Sequence, residues 1–220
     1  MVAERLTTVH RRVDDAARRA GRSDRPVVVA VSKTHPAALV LEAYAAGHRV
    51  FGENRLQELQ TKAPLLPDDI EWHLVGALQS RKARVASQIA SMLHGVDRLK
   101  LVDRLDPCGA SVLVQVNLAG EQQKAGASVD AVAPLVEALV AASVPVVGLM
   151  QIPPQPKAGE DSRKWFSKLR DLRDLLVRDW PTVRELSMGM TDDYEVAIEE
   201  GATIIRVGRA IFGARSTQQP

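Results

Sequence analysis

The chain has 220 residues, 45 % of them apolar, with 29 basic and 27 acidic side chains and a formal net charge of +2. That length suits one globular domain over residues 1–220, and the near-balanced charge gives no field of the strength a nucleic-acid partner calls for. The one cysteine, Cys108, excludes an intrachain disulfide, and five scattered histidines without a cysteine pair exclude a structural zinc site.

Residues 1–25 read as an N-terminal helix and its connection, with an amphipathic stretch from Leu6 to Ala20. Arg5, Arg11, Arg12, Arg18, Arg19, Arg22 and Arg25 cluster there, interleaved with Glu4, Asp14, Asp15 and Asp24, as on a solvated helix face. The same charges break up any signal-peptide core, so the expected location is the cytoplasm.

Eight short, β-branched apolar runs follow, at 27–32, 49–53, 71–76, 92–97, 111–118, 145–151, 184–188 and 203–207. Helical patterns lie between them at 36–46, 55–62, 81–90, 100–105, 131–142, 163–179 and 194–200. The clearest sets Trp165, Phe166, Leu169, Leu172, Leu176 and Val177 on one face. The stretch 131–150 is the nearest to a membrane span, but Glu137 and Pro145 interrupt it, and it reads as a buried helix followed by a strand. No membrane partner is expected.

Eight strand–helix alternations with short connections predict an α/β fold of (β/α)8 TIM-barrel type, with the N-terminal helix as an addition. An open doubly wound sheet is the alternative, but no Gly-x-Gly-x-x-Gly follows the first strand. The tail 216–220 is expected to fray.

A barrel builds its active face where strands end. Those positions are polar: Lys33, Glu53 and Asn54, His73 to Gly76, Asp97, Asn117, Met150 and Gln151, Ser187 to Gly189, and Arg206 with Gly208. Lysine is seldom buried alone, so Lys33 at the end of Val27–Val31 is either a stem that snorkels out or a reactive amine. Leu186 to Asp192 and Arg206 to Gly213 place Gly, hydroxyl and Arg after the last two strands, the usual phosphate site of barrels, although the glycines alone can serve as tight turns. Barrel closure makes the first and last strands neighbours. Pyridoxal 5'-phosphate (PLP) suits that juxtaposition, with an aldehyde for a lysine Schiff base and a phosphate for the cradle. Lys33 must then deliver a neutral amine, which burial or a nearby Arg206 favours.

At these residues the chain resembles the pyridoxal phosphate homeostasis protein family, single-barrel relatives of the alanine racemase N-terminal domain. The resemblance rests on Ala30-Val31-Ser32-Lys33-Thr34, Phe51-Gly52-Glu53-Asn54 with Gln57-Glu58, and Trp72-His73-Leu74-Val75-Gly76 with Leu78-Gln79. It continues through Gln115-Val116-Asn117, Gly148-Leu149-Met150, Leu186 to Met190, and Arg206-Val207-Gly208 with Ile211-Phe212-Gly213. It implies that Lys33 holds PLP, that Ser187, Gly208 and Arg209 hold the phosphate, that Gly189 belongs to the cofactor-binding set, and that Asn54 lines the ring. Arg206 would reach either the phosphate or the pyridine nitrogen. His73 and Met150 would shape the pocket, with a satisfied core histidine as the other reading of His73. Glu53 would steady Lys33 or a neighbouring loop, or serve only as a partnered carboxylate. Arg55, His35 and Gln151 depart from the family pattern, which expects an aromatic, a lysine and a small residue there.

The implied function is a cofactor carrier in intracellular PLP homeostasis, a monomer that gives PLP to apo PLP-dependent enzymes, with no catalytic residue and no metal. The alternative is a small racemase-like enzyme. It would need a second acid/base opposite the lysine, and the chain offers only Tyr44 and Tyr194 as tyrosines. A third reading is an interaction module using Pro153 to Lys157, though that proline content also suits a stiff loop or a lid.

Overall fold

In the computed structural model, which describes residues 1–121, 123–156 and 160–214, the chain opens with α1 (Val2–Arg19) and then alternates strand and helix. The order is β1 (Val27–Val31), α2 (Ala37–Ala45), β2 (Val50–Glu53), α3 (Leu56–Lys62), β3 (Glu71–Leu74), α4 (Ala83–Ile89), β4 (Met92–Val96) and β5 (Ser111–Gln115). It continues with α5 (Val129–Ala141), β6 (Val146–Met150), α6 (Arg163–Leu176), β7 (Glu185–Ser187), α7 (Tyr194–Glu199), β8 (Ile204–Val207) and α8 (Arg209–Phe212). Each strand pairs in parallel with the next, and β8 closes on β1, with Val29 beside Arg206 and Ala30 beside Val207. The result is the closed (β/α)8 barrel expected from the alternation.

Strands buried on both faces explain the near-continuous Val/Ile/Leu runs. Successive side chains point to opposite faces. Val29, Val31, Val75, Leu113, Met150 and Ile204 therefore pack inside the barrel. Val28, Ala30, Phe51, Trp72, Leu74, Leu149, Leu186 and Ile205 face the helices. Each fully buried aliphatic or aromatic side chain, such as Leu149 or Phe51, contributes about 1.5–3 kcal/mol.

The N-terminal helix is longer than its amphipathic stretch. It buries Leu6, Val9, Val13, Ala16 and Ala17 against α2, α7 and α8, the helices flanking the β8–β1 seam. Arg12 and Arg19 pair with Glu195, Arg19 also with Glu199, and Arg22 donates to the carbonyls of Ile198 (3.1 Å) and Ala202 (2.7 Å). Local differences from the sequence reading are small. The segment 100–105 is the 3-10 helix Leu99–Arg104. The fifth strand stops at Gln115 rather than 118 because Asn117 turns the chain, its amide donating to the Glu121 carbonyl (2.9 Å) and its side-chain oxygen accepting from the Glu121 amide (3.3 Å). The expected frayed tail, 216–220, lies outside the described residues.

Candidate functional site

Inward positions recur every second residue along β1, through Val29 and Val31, and the next one beyond the strand is Lys33. It is half-buried and lines a cavity of about 430 Å³ at the carboxyl ends of the strands, together with Val31, Asn54, Val75, Gln115, Lys124, Met190, Thr191, Arg206, Gly208 and Arg209. That volume falls within the range of small-molecule sites.

The floor is set by Arg206. It points inward from β8 and is 5 % exposed, and burial pulls its pKa down to about 10, so it stays a cation at neutral pH. Its guanidinium donates to Ser187 Oγ (2.5 Å) and to the Gln151 carbonyl (2.8 Å), two of its five N–H groups. Among the described residues no carboxylate lies within ion-pair distance. Asp193 contributes at longer range, and its own oxygens accept from the Met190 amide (2.7 Å) and the Ser162 hydroxyl (3.1 Å).

Ser187 Oγ also meets His94 Nδ1 (2.9 Å), and His94 Nε2 meets His73 Nδ1 (3.0 Å). The Ser187 oxygen accepts from Arg206, and the tautomers of the two rings decide which way the protons lie along the Ser187–His94–His73 chain. Burial pushes His73 down to about 4 and His94 well below its ordinary value, so both rings are neutral.

At the rim, Gly189 holds φ +88° and packs so closely on α7 that an added Cβ would sit 2.6 Å from that of Ala197. This turn presents Met190 and Thr191 to the cavity. Gly208 backs onto β1, where a Cβ would come within 3.1 Å of the Val31 carbonyl oxygen. The opening amides of α8 have no acceptor within their own helix. Arg209 and Asp192 form an exposed ion pair, and both line the cavity.

Of the residues singled out in the sequence, Lys33, Asn54, Arg206, Gly208 and Arg209 line one cavity. His73, Met150 and Ser187 are buried beneath it: Ser187 supports Arg206, and Met150 belongs to the barrel interior. Gly189 shapes the turn behind Met190 and Thr191. Thr191, Lys124 and Ala125 were not singled out. Thr191 was detectable as a hydroxyl two residues past Gly189, whereas Lys124 and Ala125 lie in an irregular loop with no periodic signal. His35 also lines the cavity, its ring centroid 5.5 Å from that of Phe212, and Arg55 lines a neighbouring cleft.

An amine, a buried cation without an acid partner, a hydroxyl and a glycine-rich rim on one cavity suit a small ligand bearing a carbonyl and an anionic group. The donor set therefore fits PLP. Among the described residues no three His, Cys, Asp or Glu side chains are grouped as for a metal ion, and no helix is long and apolar enough to cross a membrane.

The family model described as alanine racemase, N-terminal domain, matches residues 5–216. The chain is 41 % identical over 222 residues to a pyridoxal phosphate homeostasis protein of Aquifex aeolicus, covering 96 % of this chain and 97 % of the relative. It is similar to the structure of PipY from Synechococcus elongatus with PLP bound, at 37 % identity and a TM-score of 0.84, covering 97 % of this chain and 100 % of the other. It also shares its fold with alanine racemase from Bartonella henselae, at 12 % identity and a TM-score of 0.70, covering 99 % of this chain and 60 % of the racemase.

Proposed function

Because the chain belongs to the alanine racemase N-terminal domain family, and within it to the pyridoxal phosphate homeostasis proteins, we propose that it holds PLP on Lys33 and buffers the free cofactor in the cytoplasm. It does so as one domain and as a monomer. When bound, the cofactor supplies an aldehyde with which a neutral amine condenses reversibly, with loss of water. The observation that carries the reading is that Lys33 and the acid-free cation Arg206 line the same cavity.

Lys33 would take up the aldehyde, and Thr191, Gly208 and Arg209 would hold the phosphate with hydroxyl, amide and guanidinium. Asn54 would line the ring. Arg206 keeps its proton at neutral pH, so a pyridine nitrogen placed against it would stay unprotonated and the ring would be a weaker electron sink. His73, His94 and Ser187 would fix Arg206 from below. The tyrosines give the racemase reading little support: Tyr44 donates to Asp69 (2.7 Å) on the outside of the fold, and Tyr194 is 1 % exposed beside α1. The described part of the proline-rich loop, through Pro156, suits a wall of the same cavity, since Ile152 lines it and the Pro153 carbonyl accepts from Lys124 (3.2 Å); Lys157 lies outside the described residues.

Two measurements on holo-protein test this reading. Mixed with an apo PLP-dependent enzyme, it should restore that enzyme's activity as its own cofactor is lost. Incubated with each amino acid in turn, it should produce no sustained change of stereochemistry. Failure to transfer, or steady racemisation, would overturn the carrier reading.

A further inference from the structure

The residues on either side of Lys33 are both held by one cluster, buried at Ser32, Glu53 and Lys62 and partly exposed at Glu58, of which the cofactor reading uses only Glu53. Lys62 Nζ, at the end of α3, donates to the Ser32 carbonyl (2.8 Å) and to Glu53 Oε1 (2.6 Å). Ser32 Oγ donates to that same carboxylate oxygen (2.7 Å). One turn earlier on α3, Glu58 Oε2 accepts the Thr34 amide (2.8 Å) and lies 3.7 Å from Lys62. The alternation of β1 sends Ser32 outward into the layer beneath α3 and Lys33 inward to the cavity.

Thr34 holds φ +66°. A β-branched residue keeps a left-handed backbone only where its surroundings impose it. Here the Glu58 carboxylate holds the Thr34 amide, and the His35 amide closes the turn on the Ser32 carbonyl (3.0 Å). Glu53 is fully buried, and burial pushes its carboxyl up against the pull of Lys62 and Ser32. Stability is a poor reason for such a cluster, because well-packed apolar side chains often do as well. Geometry is a better one. With both flanking peptides fixed, the amine of Lys33 enters the cavity in a set direction.

We propose that Lys62, Glu58 and Glu53 are positioning residues for Lys33, so that capture of an aldehyde depends on them while anchorage of the phosphate does not. The inference rests on Lys33 being the capturing amine. The test compares wild type with Lys62→Met, Glu58→Ala, Glu58→Gln and, as control, Lys33→Ala. Two quantities are measured for each: the rate at which borohydride-resistant label from PLP accumulates on residue 33, and the dissociation constant of pyridoxine 5'-phosphate, which has the ring and phosphate but no aldehyde.

Misplacement on the ångström scale costs on the order of tenfold or more in rate. Lys62→Met and Glu58→Ala should therefore capture about tenfold more slowly, with analogue affinity within about threefold of wild type. Glu58→Gln keeps an acceptor for the Thr34 amide and should recover most of the wild-type rate. Unchanged capture in Glu58→Ala, or capture and analogue binding falling in parallel, would overturn the proposal. If Lys62→Met does not fold, the Glu58 pair decides. Wild-type protein that acquires no label on Lys33 would instead overturn the reading beneath it.

Discussion

Replacing Arg206 by methionine should separate stability from ligand binding. Burial lowers this guanidinium from its ordinary value to about 10, which corresponds to roughly 3 kcal/mol spent on keeping the charge inside the barrel. That cost is constant at neutral pH, where the group is protonated both folded and unfolded, and is relieved only as pH rises through about 10 toward the ordinary arginine range. Against it stand two charge-assisted hydrogen bonds, to Ser187 (2.5 Å) and Gln151 (2.8 Å), worth about 1.5–3 kcal/mol each. Methionine removes cost and gain together. Ser187 keeps its bond to His94 (2.9 Å), so the Gln151 carbonyl is the main loser. The net loss should be about 1 kcal/mol, or roughly 2–4 °C in Tm for a chain of this size. PLP, which would face the missing cation, should bind about 10- to 100-fold more weakly. Thermal unfolding and equilibrium titration with PLP measure the two effects separately. Affinity within about twofold of wild type, or a stability loss above about 4 kcal/mol, would refute this account of Arg206.

Gly189→Ala forces a Cβ into a left-handed position 2.6 Å from the Ala197 methyl. It should cost about 2 kcal/mol or more and weaken PLP binding by displacing Met190 and Thr191; denaturant titration showing wild-type stability would contradict it. The buried histidines make the fold acid-sensitive. His48 and His73 are lowered by burial to about 4, so the unfolded chain binds protons near 6.5 that the fold refuses. Stability is then intact above pH 6.5 and falls as pH drops toward 4, by about 3 kcal/mol for each of the two rings. Unfolding midpoints at pH 7 and pH 5 that coincide would exclude this. Asp192→Asn removes a carboxylate from the cavity rim and leaves Arg209 without its ion-pair partner. Phosphate-bearing ligands should bind about two- to fivefold more tightly, and weaker binding would show that Asp192 serves to position Arg209.

The barrel was legible because eight β-branched runs and eight turns of chain direction leave few alternatives, and because Lys33 continues the inward period of Val29 and Val31. Asn54 and Gly208 stood out at strand ends, while their cofactor roles and that of Arg209 came from the resemblance to the family. The support roles were less visible. Ser187 stands at a strand end like the others, yet its hydroxyl turns under Arg206, and only the closure of β7 on β8 decides that. His94 reads as one polar residue in an apolar strand until β4 is seen across the barrel from β7. Lys62 is an ordinary helix-terminal lysine in sequence. Its contacts with Glu53 and the Ser32 carbonyl arise from how α3 folds back over β1 and β2, which no local pattern encodes.

The central claim is that Lys33 carries the cofactor. Protein incubated with PLP, reduced with borohydride, digested and read by mass spectrometry should show one modified peptide, the one containing Lys33, and none in Lys33→Ala. Modification spread over several lysines, or concentrated on another such as Lys124, would contradict it.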